Sequence, residues 1–420
     1  MTARHRARTP RVTVVTSGHL STCPRMLKSA DAFAAAGYDV RVVATCHEPW
    51  AVETDRDLRS RRAWPVDVID YRRGESGSTY WRTGVRYRVA RKAAALRDPA
   101  RAPLGVVARA FGRVHSEIVR AATSAPCDLL YGGTTGALAA IAEAAHRQSI
   151  PYGIDLEDWH SGESSGPEAA LDNALAARVE AAVVPGAAFV TTSSEPIASV
   201  YNDLYGVRPA VVHNTFSLPS QPPDFARRDP RTLRLYWFSQ TIGPGRGLEE
   251  TVLAAGRAGI AAELALRGRA QNGYLPTLQS LAASRAPRLS VVHHPPASPD
   301  AMVDLARHHD VGLAQEVMAV PNRRLCLTNK AFTYILAGLA VAMSDTPGQH
   351  ALGLDLGHGA ALVAPGDVDA LADVFSTWAA DPATLDCARR TAWHSAVRRW
   401  HWEHDAERGT LYRLAESALA

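Results

Sequence analysis

Short runs of β-branched and aliphatic residues recur along this chain, each followed by a longer Ala/Leu-rich stretch, and this alternation restricts the fold more than any single motif. Arg11–Ser17 (RVTVVTS), Asp39–Thr45 (DVRVVAT), Cys127–Tyr131 (CDLLY), Pro151–Asp155 (PYGID) and Ala188–Thr192 (AFVTT) read as strands, with a helix over Pro24–Ala36 that Gly37 closes. Strands that are apolar throughout and separated by helices call for a parallel sheet covered on both faces.

The rhythm breaks once. Leu218–Arg231 (LPSQPPDFARRDPR) holds four prolines and no apolar period, so it reads as a linker. A second series of strands follows at Leu233–Ser239, Ala262–Arg267, Leu289–His293, Asp310–Ala314, Ala340–Ser344 and Gly359–Val363. The 420 residues therefore divide into an N-terminal domain over 1–216, a linker over 217–231, a C-terminal domain over 232–396, and a terminal segment over 397–420. The expected class is α/β, with two Rossmann-like doubly wound domains enclosing an interdomain cleft. Ligands of such sheets bind outside the carboxyl ends of the strands.

Composition excludes several classes. No window reaches the roughly 18 uninterrupted apolar residues that a spanning helix needs, and the basic opening MTARHRARTPR is not followed by a secretory apolar core. The five cysteines are scattered and never form a CxxC pair, which suits a reducing cytoplasm and argues against a disulfide scaffold or cysteine zinc site. The histidine pairs His293-His294 and His308-His309 lack the spacing to share one helix face around zinc, so no metal is expected. Of the two acid runs, Asp67–Asp70 lies on a strand and Asp367–Asp369 starts a surface helix.

The net charge of +4 hides a strong asymmetry, because residues 72–120 carry twelve cations against three acids. Such a segment is either a solvated helical face or an attractor of phosphate groups and anionic membrane surfaces. Tyr80, Trp81 and Tyr87 stand among its arginines, but no nucleic-acid-reading module is recognisable there.

Three loops at strand ends carry chemistry. After the first strand, Gly18 permits a tight turn and Pro24 opens a helix whose N-terminus can face an anion. The Asp155–Glu163 loop (DLEDWHSGE) gathers four acids, a histidine and a tryptophan. Glu157, Asp158 or His160 there could take a proton from an attacking hydroxyl, or the acids could simply cap helices. In the second half, Gly243, Gly245, Arg246 and Gly247 form a turn in which backbone donors and a guanidinium can converge on a diphosphate, and Arg267 adds a cation after the next strand.

These segments resemble the GT-B glycosyltransferases, specifically the family 4-like enzymes, along nearly the whole chain. The resemblance rests on Val12–Ala44, the acidic loop, Val190–Asn214, and Trp400–Glu403 before the terminal helix. Its most specific part is Asn329–Val341 (NKAFTYILAGLAV) followed by Ser344–Gly348 (SDTPG). It implies a nucleotide-diphosphate-sugar donor held mainly by the C-terminal domain and a hydroxyl acceptor (polysaccharide, lipid-linked or specialised metabolite) held mainly by the N-terminal one. Transfer would proceed with retention, without metal or other cofactor. The terminal helix would cross back onto the first domain. In the N-terminal half of such a fold, the basic 72–120 segment could approach a lipid-linked acceptor, in a peripheral contact at a membrane face, or an anionic soluble acceptor. Carried onto this sequence, Gly18 lies near the diphosphate and leaving sugar, Arg246 is a phosphate-binding cation, and Asn329, Lys330 and Thr333 lie beside the ribose and phosphates. The chain departs from the two-glutamate pattern of relatives, since Leu325 and Thr333 occupy the two acid positions and Glu316 is the nearest acid. A sugar-nucleotide epimerase on the same fold and a catalytically silent partner protein are the alternatives.

Overall fold

Parallel pairing throughout each sheet follows from the uninterrupted apolar runs. The computed structural model describes residues 8–420 except 165, 167, 168, 227, 228, 230, 318 and 319, so the basic residues at positions 1–7 and part of the proline-rich linker lie outside the described residues. The first sheet contains β1 (Arg11–Thr16), β2 (Asp39–Cys46), β3 (Val66–Asp70), β4 (Leu129–Gly133), β5 (Tyr152–Leu156), β6 (Phe189–Thr192) and β7 (Ala210–Val211). Its seven strands run in the order β3-β2-β1-β4-β5-β6-β7. The second sheet contains β8 (Leu233–Ile242), β9 (Ala262–Ala270), β10 (Leu289–His294), β11 (Val311–Ala314), β12 (Ala340–Ser344) and β13 (Ala360–Val363). Its six strands run in the order β10-β9-β8-β11-β12-β13.

Both orders reverse direction beside the first strand of their sheet, between β1 and β4 and between β8 and β11. A reversal leaves the loops after two neighbouring strands diverging to opposite faces, and the crevice so formed is where doubly wound sheets bind ligands.

The chain forms two units. One comprises the described residues up to Val212 together with Arg408–Ala420, and the other spans His213–Glu407. The terminal helix Thr410–Leu419 thus belongs to the first unit, where the Tyr412 hydroxyl donates to the Ala32 carbonyl at 2.9 Å. Much of the proline-rich stretch is held within the second unit. Arg389, itself buried, donates to the carbonyls of Phe225 at 2.8 Å and Gly338 at 3.1 Å. Leu218 N–H donates to Glu403 at 3.0 Å.

Every residue of β4, β5, β6, β11 and β12 is buried, which explains their lack of polar alternation. Asp155 on β5 is the one carboxylate among them. Arg25, near the start of the helix Pro24–Ala35, grips it through Nε at 2.8 Å and Nη2 at 2.5 Å, while Nη1 donates to the Val212 carbonyl at 2.7 Å. Thr191 Oγ1 supplies a further bond to Asp155 at 2.6 Å. A buried charge pair is tolerated when both partners are this fully hydrogen-bonded.

Candidate functional site

In the second unit the chemistry collects at the β8/β11 reversal. The glycine-rich turn leaves β8 and enters the helix Leu248–Ala258 through Gly247. Gly247 has φ +76°, and a Cβ on it would stand 2.6 Å from the Gln315 Cβ. Only glycine combines that backbone with so close an approach. Gly247→Ala is expected to cost about 2–3 kcal/mol, from the left-handed backbone and the clash together, read as a lower urea midpoint at unchanged slope.

Arg246 is half-buried and has no hydrogen-bond partner among the described residues. Burial lowers the pKa of its guanidinium, and so does the charge of Arg323, against the opposing pull of Glu316. Glu316 directly follows Gln315, beyond the end of β11. Its buried carboxylate accepts from Lys330 Nζ at 3.1 Å and Arg323 Nη1 at 2.9 Å. Burial alone would raise the pKa of Glu316, but Lys330 and Arg323 outweigh it and hold the acid below its usual range. The Lys330 ammonium also lies 5.8 Å from the centroid of the Trp237 ring. Two cations therefore grip one acid at the strand ends, with Arg246 within reach of their field, an excess of positive charge suited to a diphosphate.

The structure places the other donor-site candidates around this cluster or apart from it. Gly243 packs against Gln271, and Gly245 adopts φ +68° at the turn. Asn329 begins the helix Asn329–Leu336, one residue before Lys330, and the buried Thr333 donates its hydroxyl to the Asn329 carbonyl at 3.1 Å. Arg267 makes no bond to the cluster among the described residues; its guanidinium donates to the Tyr236 hydroxyl and the Pro295 carbonyl, each at 3.0 Å. Sequence reasoning missed Arg323 and the bridging role of Glu316. The available signal was the position of Glu316 just beyond a buried strand.

In the first unit the corresponding reversal lies between β1 and β4. Ser17 N–H donates to Thr134 Oγ1 at 2.9 Å, and the two hydroxyls lie 2.8 Å apart. Thr134 adopts φ +74°, uncommon for a β-branched residue. Gly18 N–H donates to Thr16 Oγ1 at 3.1 Å, and a Cβ on Gly18 would strike Cys23 Sγ at 2.5 Å. The neighbouring His19 is structural. Its Nε2 accepts from the backbone N–H groups of His47 at 3.1 Å and Glu48 at 2.9 Å, so Nδ1 carries the proton and donates to Asp55 at 2.8 Å.

In the acidic loop some groups are committed to the fold, and two have raised pKa values. Asp155 is committed to Arg25. Ser161 anchors the loop from N–H at 3.2 Å and hydroxyl at 2.7 Å onto Glu180, a fully buried carboxylate that also accepts from Tyr201 at 2.7 Å and Tyr205 at 2.9 Å. Glu163 pairs with His160 Nδ1 at 2.9 Å. His160 is buried, and its Nε2 has no partner among the described residues. Burial works against its charge, but Glu163, Glu180 and Asp158 prevail and push it up to about 9. At neutral pH it is an imidazolium, a donor rather than a base. Glu157 behaves oppositely: burial, aided by Asp158 and Asp155 and opposed by Arg25, pushes it up to about 7. Of these two groups, Glu157 is therefore the one poised to exchange a proton near neutrality, while the field of Asp158 reaches both.

No family profile and no curated protein matches the chain. Solved structures do. HepE from Anabaena, in complex with UDP and glucose, is 15% identical with a TM-score of 0.66, over 97% of this chain and 99% of that one. Sucrose-phosphate synthase from Thermosynechococcus elongatus is 13% identical at a TM-score of 0.68, over 97% and 100%. A TarM variant from S. aureus, in complex with fondaparinux, α-GlcNAc-glycerol and UDP, is 7% identical at 0.66, over 98% and 100%. The fold is GT-B. Within the GT-B fold the two reversals described above are equivalent positions of two similar sheets, and the second carries the cation cluster.

Proposed function

We propose that the protein is a glycosyltransferase that moves a sugar from a nucleotide-diphosphate-sugar to a hydroxyl acceptor. The observation that carries this reading is the cluster of Arg246, Arg323 and Lys330 around Glu316 at the β8/β11 reversal. As the glycosidic bond breaks, negative charge grows on the departing diphosphate, and fixed cations stabilise it without reorganising. The second unit would hold the donor and the first the acceptor, with Glu157 taking the proton of the attacking hydroxyl and His160 donating to a ligand oxygen through Nε2. Retention without a metal is the outcome that the family 4-like motifs favour. The UDP in the HepE and TarM structures makes uridine diphosphate the first nucleotide to test. Calorimetric titration should give saturable heat at one site, and the absence of heat with every common nucleoside diphosphate would defeat the reading.

The pH dependence of kcat/KM reports the free enzyme's acid and base. With Glu157 acting as base and charged His160 as donor, kcat/KM should rise as pH passes about 7 and fall as it passes about 9. Glu157→Gln should remove the rising limb and His160→Gln the falling one. A wild-type profile that stays flat from pH 6 to pH 10 would sink these roles.

A further inference from the structure

Most large apolar side chains left exposed on this protein are concentrated in one place. Among the described residues nine such side chains are exposed, and five of them, Trp81, Val85, Val89, Leu96 and Leu104, lie on the helices Ser78–Leu96 and Leu104–Phe111 or at their ends. Trp81, Val85 and Val89 follow one another four residues apart, so they stack on one face of the first helix. Trp81 and Val89 are each 63% exposed, and Leu96 is 78% exposed. The opposite face, turned toward the unit's interior, buries only Thr83, Ala90 and Ala94. The helix is thus inverted, with its bulky apolar residues in water and its small ones inside. Beside it, Val106 and Arg109 of the second helix help to line an open groove of about 620 Å³ with Trp81, Val85, Val89 and Ala93.

Charge selects the occupant. The helix Ser78–Leu96 carries Arg82, Arg86, Arg88, Arg91 and Lys92 and no acid. Inward-turned cations are held by the fold: Arg86 pairs with Glu117 and Arg91 with Asp172, while Arg113 lies over Tyr80 at 4.5 Å. Arg88 and Lys92, on the apolar side, are exposed and have no ion-pair partner among the described residues. Exposed Arg97 and Arg101 continue the positive border, interrupted by the exposed Asp98, whose carboxylate lies 3.9 Å from Arg101. A partner protein with an apolar ridge would match the groove but leave these cations without counter-charge. A bilayer with anionic headgroups satisfies both, since the apolar face enters the acyl boundary while the flanking cations stay among the phosphates. No helix among the described residues is long and apolar enough to cross a membrane, so the contact would lie along the surface.

We infer that the helix Ser78–Leu96, with the adjoining helix Leu104–Phe111, is a docking face for an anionic bilayer surface. The Trp81, Val85 and Val89 side chains insert, and Arg88, Lys92, Arg97 and Arg101 meet the headgroups.

The test is co-sedimentation of the full-length protein with vesicles of phosphatidylcholine alone or mixed with phosphatidylglycerol, with nucleotide binding followed in parallel. Binding should require phosphatidylglycerol and weaken with salt, because exposed charge interactions are screened. Val85→Asp with Val89→Asp should reduce partitioning by about a hundredfold or more, and Arg88→Gln with Lys92→Gln by about fivefold per cation. Melting temperature and nucleotide affinity should stay unchanged in both. Lipids brominated on the acyl chain should quench fluorescence in the wild type, and Trp81→Phe should lose that quenching while still binding. The inference is overturned by absence of binding to anionic vesicles, by equal binding to neutral ones, or by binding that survives the Val85/Val89 change. It is equally overturned if that change only dissolves a concentration-dependent dimer.

Discussion

Arg246→Ala is expected to weaken uridine diphosphate binding by about tenfold to a hundredfold, the usual loss for a charge-assisted hydrogen bond, and to lower kcat/KM by about 10²–10³. The size of the effect follows from what surrounds the side chain. Arg323 and Lys330 already share the carboxylate of Glu316, whereas Arg246 is half-buried with no hydrogen-bond partner among the described residues. A dianionic ligand would therefore find in Arg246 its least compensated cation. Arg246→Lys should restore part of the affinity through charge alone, without the planar two-pronged geometry of the guanidinium. Calorimetry on the two variants, beside wild type at the same ionic strength, measures both effects. Unchanged affinity in the alanine variant would mean that the diphosphate is not held at this turn.

Asp155→Ala should destabilise the first unit by about 3–5 kcal/mol, the usual cost of leaving one member of a buried pair behind. Among the described residues Arg25 would keep only the Val212 carbonyl for its guanidinium, and Thr191 would lose its carboxylate acceptor. At this unit's size the loss corresponds to a fall in melting temperature on the order of 10 °C. Removing both partners, as Arg25→Met with Asp155→Leu, should cost less than Asp155→Ala alone, because no charge is then stranded in the interior. The expected coupling is measurable by thermal and urea unfolding of the single and double variants. Additive losses would show that the pair is not a unit.

What the sequence disclosed, and what it withheld, follows from the range of the interactions involved. β11 and β12 were legible because a fully buried parallel strand must be apolar along its whole length, and β8, β9 and β10 because short apolar runs survive between their polar residues. β7 was not, since two residues, Ala210–Val211, carry no periodicity. Asp367 was correctly read as a helix start; its side chain accepts from Ala370 N–H at 2.9 Å. The acidic loop was visible as a dense constellation, but its division of labour was hidden. Asp155 and Arg25 lie 130 residues apart, and no local pattern links them. Glu316 was set aside because its spacing did not fit the expected pair of glutamates, yet folding brings Lys330 and Arg323 onto it from later in the chain. Spacing along the sequence predicts neighbours on one helix or strand; it does not predict which charge from a following helix will close over a strand end.

The assignment of Arg408–Ala420 to the first unit has a consequence for biosynthesis. During synthesis, the nascent chain emerges with its first sheet largely complete, but the helix that buries Leu411 and Ala415 is translated only after the second unit. The whole of His213–Glu407 must leave the ribosome before that helix is available, so the earlier-made half waits unfinished while the later-made half can already mature. Chaperone dependence and losses from premature termination should therefore fall on the half that is made first.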